Sequence, residues 1–505
     1  MNNFFITTPI YYVNDKPHIG HAYTTIACDI ISRFKKLKGE NVFFLTGTDE
    51  HGQKVEKAAI QSSTSPQDFV DKMSLNFEKL IPFLGCQIND FIRTTEKRHI
   101  KATQYLWEKL KDNNQIYLSN YEGWYSVRDE AFYTESELTK NGDQLIATSG
   151  APVEWVKEES YFFKLSHWQD KLINFYEKNP EAILPKSRYN EVLSFIKGGL
   201  KDLSISRTTF NWGVPVPNDD KHVMYVWIDA LCNYITALGY PNFEKKKYKG
   251  FWPGTHIVGK DILRFHAVYW PAFLMAADLP PPKRIFAHGW WTNEGEKISK
   301  STGNVINPYE IIKQYGLDQI RYFLFREVPF GNDGDFSKDS IAQRVNADLS
   351  NNYGNLIQRV ASFIVKNCNS KVIKHSKMNE EDEKLINFFE LKFKEYKNQM
   401  QDFHIDRALK SIFELLSETN SYVDKQAPWS LKKTDFERMN NVLFLICNII
   451  IKSSIMLNPI IPESTNKALK IFNIDTLTIN FTNFNNIIDN DIMITNPKPI
   501  FPRIE

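Results

Sequence analysis

The chain has 505 residues, of which 42% are hydrophobic, 24% charged and 14% aromatic, and its formal net charge is +2. That balance belongs to a folded, core-forming chain of about three domains. It excludes dominant disorder, collagen-like or low-complexity architecture, and a nucleic-acid binder held by charge alone. Five scattered cysteines (Cys28, Cys86, Cys232, Cys368, Cys447) form no CxxC pair, which argues against a disulfide framework and for a reducing compartment. The first residues have neither the basic start nor the apolar stretch of a secretory signal, and the most apolar run, 442–451, contains Asn448 and is too short to cross a bilayer. A cytoplasmic chain with no membrane partner is therefore expected.

Phe4 to Ile10 is apolar and β-branched and is broken by Pro9, which predicts a buried parallel strand. A loop follows through Asn14–Pro17, then a helix from near Gly20 to Leu37, stopped by Gly39. Asn41 to Leu45 reads as the next strand and 46–52 as a loop beyond its carboxyl end. Strand, helix, strand in so short a span is a βαβ unit, and ligands of such sheets sit outside the carboxyl ends of the strands. After about Tyr117 the pattern changes to short strands and turns, with Asn141-Gly142 marking a hairpin, and helical periodicity returns over 167–200. Strand patterns at Tyr225–Trp227 and His256–Gly259 are each followed by a helix. The pattern predicts one α/β domain in two halves, 1–115 and 216–290, split by an insertion over 116–215. A connecting region, 291–340, leads to amphipathic stretches at 341–366, 379–401, 405–425 and 434–456, which predict a helix bundle over 341–505 with an Asn- and Pro-rich surface tail.

Two constellations carry chemistry. In Pro17-His18-Ile19-Gly20-His21 two imidazoles share one face of a starting helix, where backbone N–H groups favour anionic oxygen. Gly20 would let a ligand approach the backbone closely. Alone, the pattern equally describes two surface histidines. In Lys297-Ile298-Ser299-Lys300-Ser301, two lysines and two hydroxyls lie between Gly295 and Gly303, a composition that suits a loop closing over polyphosphate. Alone, it also describes a solvated basic loop.

An HIGH sequence after the first strand with KISKS far downstream resembles the class I aminoacyl-tRNA synthetases, and the isoleucine of KISKS stands where methionine is usual. Further motifs are similar to the methionyl branch of that family: Thr8-Pro9-Ile10-Tyr11-Tyr12, Thr46-Gly47-Thr48-Asp49-Glu50-His51-Gly52, Tyr225-Val226-Trp227-Ile228-Asp229-Ala230, Gly259-Lys260-Asp261-Ile262 and His288-Gly289-Trp290. The resemblance runs over nearly the whole chain. It implies a Rossmann-like, parallel-sheet catalytic domain split by a connective insertion, a KISKS and stem-contact region, and an α-helical anticodon-binding domain. It also implies ligation of methionine to initiator and elongator methionine tRNA through methionyl-adenylate, with ATP and Mg2+ entering as one substrate complex. His18, His21, Lys297 and Lys300 would be catalytic. They would bind ATP together with Gly20, Gly259, Asp261, His288, Ser299 and Ser301. Pro9, Ile10, Tyr12, Asp49, Trp227, Leu231, Tyr234, Ile262, His266 and Trp270 would hold methionine, with Asp49 on its ammonium. Arg207 matches a pocket-side arginine.

The residues themselves agree with such a pocket. Trp227, Leu231 and Tyr234 have i, i+4, i+7 spacing, and Ile262, His266 and Trp270 have i, i+4, i+8 spacing. Two such faces, with Tyr12 from the first loop, would form an aromatic slot for a polarizable thioether; spacing alone favours ordinary core packing, and His266, which needs a polar partner, points to the slot. Asn355 and Arg359, one helical turn apart, and Trp429 after Pro428 match the family's anticodon-reading positions, and base stacking on tryptophan is a common mode of single-strand reading. Without that match they read as a surface polar pair and a buried tryptophan.

Many methionyl enzymes carry cysteine-bound zinc in the insertion. Here Ser126 and Ser149 stand at such places, so no structural zinc or other metal site is expected. The insertion is too short for a large hydrolytic editing domain, and a C-terminal dimerisation appendix is not expected, so a monomer is. Smaller HIGH-bearing nucleotidyltransferases lack a helix bundle, and a non-catalytic tRNA-binding relative should have lost HIGH or KISKS residues. Both alternatives fit this chain less well.

Overall fold

The computed structural model describes residues 2–504 except 15, 127–130, 134, 143, 148, 298–304, 376–377, 476–478, 483 and 485–490. The chain divides into two compact units. One comprises Phe5–Pro17 and Phe43–Ala287, and the other Met1–Phe4, His18–Val42 and His288–Glu505.

The first unit is built on a sheet of seven strands. Along the sheet lie Ile183–Leu184, Arg284–His288, Thr255–Gly259, Asn3–Thr7, Asn41–Asp49 and Tyr11–Tyr12, with Asp90–Arg93 also paired to Asn41–Asp49. Its strands pair in parallel, among them Ile6 opposite Thr255 and Leu45 opposite Asp90. The expected strand, helix and strand are present as Asn3–Thr7, Ile19–Leu37 and Asn41–Asp49. The last runs four residues beyond the expected Leu45, because Thr46 and Thr48 are β-branched and buried and Gly47 lies directly against the neighbouring strand. A Cβ on Gly47 would fall 1.9 Å from the Ile92 carbonyl oxygen, so no other residue fits that pairing.

Within the same unit, Ile116–Ser126 and Glu154–Phe163 form a long antiparallel ribbon, from Ile116 opposite Phe163 to Tyr125 opposite Glu154. Leu138–Asn141 pairs with Gln144–Ala147 across the Asn141-Gly142 turn, and Gly142 has φ +63°. Ser126 is a buried strand residue, and the Ser149 hydroxyl accepts the Ala151 N–H at 3.2 Å. A hydroxyl engaged in a turn is a poor zinc donor. Among the described residues no group of three or more His, Cys, Asp or Glu is arranged to hold a metal.

In the second unit the helices Glu380–Gln401, Ile405–Gln426, Phe436–Leu457 and Pro462–Ile471 form the bundle. The expected helix over 341–366 is interrupted: Lys338–Arg344 and Asn355–Asn367 flank a π-helical stretch, Val345–Gly354. Phe436–Leu457 is long and apolar enough to span a bilayer, but 89% of its most apolar window is buried within the protein, as in a core helix.

A buried ion pair joins the helix Ile19–Leu37 to this bundle. Arg321, from the helix Leu317–Arg326, donates to Asp29 Oδ2 at 2.7 Å and to the carbonyls of Ile460 and Pro459 at 2.8 and 3.0 Å. Arg33 donates to the same carboxylate oxygen at 2.7 Å, and Arg321 and Asp29 are both essentially inaccessible to solvent. Arg321→Met would remove a donor from two carbonyls and a buried cation from Asp29, a loss of roughly 3–5 kcal/mol. Urea unfolding followed by circular dichroism measures it, and a loss under about 1 kcal/mol, the scale of a surface pair, would contradict the assignment.

Candidate active site

The second unit holds HIGH and Lys297, the first residue of KISKS. His18 is the N-cap of the helix Ile19–Leu37, and its Nδ1 accepts the Gly20 N–H at 3.0 Å. His21 reaches back so that its Nδ1 accepts the His18 N–H at 3.0 Å, which completes a capping box made of imidazoles. The two rings lie 3.9 Å apart. A neutral ring that accepts at Nδ1 carries its proton on Nε2, so Nε2 is the protonated nitrogen of both rings. Gly20 also has a reason that its sequence does not show. A Cβ there would lie 2.9 Å from His18 Cε1, so the glycine makes room for the capping ring.

The Ile19 N–H donates to the Ile306 carbonyl at 3.1 Å. HIGH is thereby tied by its backbone to the residue that follows KISKS by five positions. Lys297 closes a short hairpin, Trp291–Asn293 with Glu296–Lys297, turned by Gly295 at φ +81°. Ser299, Lys300 and Ser301 lie outside the described residues. His288 is buried, with Nε2 2.7 Å from Thr24 Oγ1 and Nδ1 2.8 Å from the Gly289 carbonyl. Both of its ring nitrogens are thus engaged with protein, and the ring braces the HIGH helix.

The first unit holds the aromatic residues. Trp227, Leu231 and Tyr234 lie on the helix Val226–Thr236. Ile262, His266 and Trp270 are not on one regular helix: Lys260–Ile262 is a 3-10 turn, Phe265–Tyr269 a π turn, and Trp270–Ala276 an α-helix. The π turn shifts the register and still brings His266 and Trp270 to Tyr234. The Tyr234 hydroxyl is 2.7 Å from His266 Nε2, and the Tyr234 and Trp270 ring centroids are 6.2 Å apart. His266 Nδ1 is 2.9 Å from the Ile262 carbonyl. Burial pulls the His266 pKa down to about 4, so the ring is neutral at pH 7; Nδ1–H donates to Ile262 and Nε2 accepts from Tyr234.

Ile10, Trp227 and Ile262 pack on the same apolar cluster as Leu231, Tyr234 and Trp270, and Tyr12 joins Trp227 beside Tyr125 and Tyr225. Pro9 accepts a hydrogen bond from the Thr8 hydroxyl at 2.7 Å. Asp49 ends its strand opposite Tyr12, with its side chain buried. Gly259 ends the strand Thr255–Gly259, and Asp261 stands exposed just beyond it. Arg207 is buried in an ion pair with Glu158, its guanidinium 4.0 Å from the centre of the Tyr125 ring.

Three features escaped sequence reasoning. Phe265 stacks on Trp227 at 3.5 Å and 9°. His256 stacks on Tyr234 at 4.0 Å, and its Nδ1 is 2.8 Å from Thr7 Oγ1. Burial, reinforced by His266, holds the His256 pKa well below its ordinary value. Asp229 bridges two histidines, His51 and His99. A histidine within the otherwise apolar strand Thr255–Gly259 was the available signal for His256. The other two arise from contacts between distant segments.

In the bundle, Asn355 begins its helix exposed, and Arg359 forks onto Asp424 and Asn420 at 2.9 and 3.2 Å. Trp429 is 46% exposed, contrary to a buried packing role. It follows Ala427, whose left-handed backbone (φ 42°) turns the chain sharply. A cavity of about 360 Å³ beside Asn355 is lined by Ser350, Gln358, Phe501 and Arg503 among others.

Residues 4–361 match the family model for tRNA synthetases class I (M), and residues 372–505 match that for the anticodon binding domain of methionyl tRNA ligase. The chain is 55% identical to the methionine–tRNA ligase of Rickettsia conorii (strain ATCC VR-613 / Malish 7), with 100% of both chains covered. It is 50% identical to that of Brucella suis biovar 1 (strain 1330), covering 99% of this chain and 98% of the relative. The solved structure of Mycobacterium tuberculosis methionyl-tRNA synthetase in complex with methionyl-adenylate superposes with a TM-score of 0.97 at 42% identity over 100% of both chains. The fold, both nucleotide motifs and the full-length matches agree: the chain belongs to the methionyl-tRNA synthetases, within class I of the aminoacyl-tRNA synthetases.

Proposed function

We propose that the chain joins methionine to initiator and elongator methionine tRNA in two steps, in the cytoplasm and as a monomer. Residues 1–115 and 216–290 are the halves of its catalytic domain, 116–215 its connective insertion without zinc, 291–340 its KISKS and stem-contact region, and 341–505 its anticodon-binding domain. In the first step a methionine carboxylate oxygen attacks the α-phosphorus of Mg-ATP. The bond to the bridging oxygen breaks, and pyrophosphate leaves with the magnesium. In the second, a hydroxyl of the terminal tRNA adenosine attacks the activated carbonyl, and AMP leaves. Neither step needs a covalent enzyme intermediate, so the protein contributes positioning and electrostatics.

His18 and His21 donate Nε2–H to the α-phosphate oxygens as charge develops there. Lys297 and Lys300, with Ser299 and Ser301, neutralise the departing pyrophosphate. Gly20 keeps the first ring in place, Gly259 and Asp261 take the ribose, and His288 supports the nucleotide site by holding the HIGH helix. Asp49 receives the α-ammonium, and a buried ammonium requires such a carboxylate. Pro9, Ile10, Tyr12, Trp227, Leu231, Tyr234, Ile262, His266 and Trp270 surround the thioether, with the neutral His266–Tyr234 pair as its polar wall. Asn355, Arg359 and Trp429 read the anticodon. The observation that carries the reading is the backbone bond from Ile19 to Ile306, which links HIGH to the end of the KISKS segment across nearly the whole catalytic sequence.

Amino-acid-dependent ATP–pyrophosphate exchange with each of the twenty amino acids tests it; methionine alone should support exchange. Lys300→Ala should slow exchange roughly 100- to 1,000-fold, the cost of one transition-state donor, with little change in methionine KM. Undiminished exchange in that variant would refute the lysine's role. Trp429→Ala should leave exchange intact and lower tRNA charging roughly 5- to 150-fold, the worth of one stacked base. Equal losses in both assays would count against anticodon reading.

A further inference from the structure

Asp229 sits in the first turn of the helix Val226–Thr236, fully buried, and accepts two hydrogen bonds from histidines far apart in sequence. His51 Nδ1 donates to Oδ2 at 2.6 Å, and His99 Nε2 donates to Oδ1 at 2.7 Å. Burial pushes this carboxyl up, but the pull of the two imidazoles outweighs it and holds the pKa at about 2. The Asp229 carboxylate is therefore ionised at neutral pH.

His51 follows Asp49 by two residues, and the segment between them is gripped from other sides as well. The Trp212 indole N–H donates to the Glu50 carbonyl at 2.6 Å, and the Gly52 N–H donates to the Trp212 carbonyl at 2.9 Å. The Glu50 carboxylate accepts two bonds from Arg93, at 2.7 and 3.0 Å. On its other side, Asp229 lies two residues from both Trp227 and Leu231 and five from Tyr234. One buried carboxylate thus joins the segment bearing the ammonium-binding group to the helix bearing the aromatic wall. His99, in the helix Lys97–Asp112, supports it from behind.

We propose that Asp229 is a positioning residue for amino-acid recognition: by bridging His51 and His99 it fixes the separation between the Asp49 carboxylate and the Trp227–Tyr234 wall, and so selects side-chain length. This rests on the reading of those residues as the methionine site. A linear amino acid held at its ammonium and at its sulfur spans that separation, so a loosened bridge weakens methionine binding and admits longer and shorter analogues. ATP binding does not depend on it.

Asp229→Asn keeps the volume but turns an N–H toward an imidazole N–H, so one of the two bonds is lost. In pyrophosphate exchange the full-length variant should show methionine KM raised about tenfold or more, as for a lost charge-assisted bond, with ATP KM unchanged and a reduced preference for methionine over the longer ethionine and the shorter norvaline. His51→Ala should raise methionine KM likewise. His51→Asn, which places an amide N–H near the position of Nδ1, should restore it, and this pair decides the matter should Asp229→Asn fail to fold. Unmoved methionine KM in Asp229→Asn and His51→Ala would overturn the bridge, as would equal impairment in His51→Ala and His51→Asn. Absence of methionine-dependent exchange in the unmodified protein would overturn the site reading itself.

Discussion

Two backbone N–H groups at the start of one helix are satisfied by imidazoles. Most helices begin on a hydroxyl, a carboxylate or an amide, which ends the local accounting of donors. Here His18 and His21 accept at Nδ1, and each neutral ring must then carry its proton on Nε2. The cap converts an ordinary structural need into two oriented donors at the positive end of a helix dipole. The arrangement requires Gly20, since a Cβ would displace the His18 ring. The same helix is fixed at the Ile306 carbonyl, through Thr24 at His288, and at Asp29 by Arg321. Donors held this firmly cost little reorganisation when charge develops on a phosphate.

The amino-acid residues follow the opposite electrostatic logic. A thioether has no charge to match, so the residues assigned to it are aromatic or neutral, and burial keeps His266 and His256 uncharged. The hydrogen bond from Tyr234 to His266 satisfies two buried polar groups, which would otherwise be costly. The carboxylates Asp49 and Asp229, in contrast, are both buried.

Much of this was legible in the chain. The βαβ start and the helix bundle follow from apolar periodicity, whereas HIGH and KISKS read as nucleotide motifs only through the resemblance to the class I synthetases. The slot residues followed partly from spacing, yet His266 and Trp270 reach Tyr234 through a π turn that spacing does not announce. Periodicity also stopped the strand after Asn41 too early, because the extension through Asp49 depends on Gly47 meeting Ile92 from a distant strand. Trp429 could be placed after a proline but not exposed, since its exposure depends on the left-handed Ala427. The Asp229 bridge was illegible for the same reason: His51, His99 and Asp229 become neighbours only in the folded sheet-and-helix layer.

The imidazole cap can be observed directly by nitrogen-15 NMR of histidine-labelled protein, with the His18 and His21 signals assigned by substitution. The account predicts the Nε2–H tautomer for both rings at neutral pH, and a shift of both Nε2 resonances when a non-hydrolysable ATP analogue binds. A neutral ring carrying its proton on Nδ1, in either histidine, would contradict it, because that ring could then neither accept at the cap nor donate from Nε2.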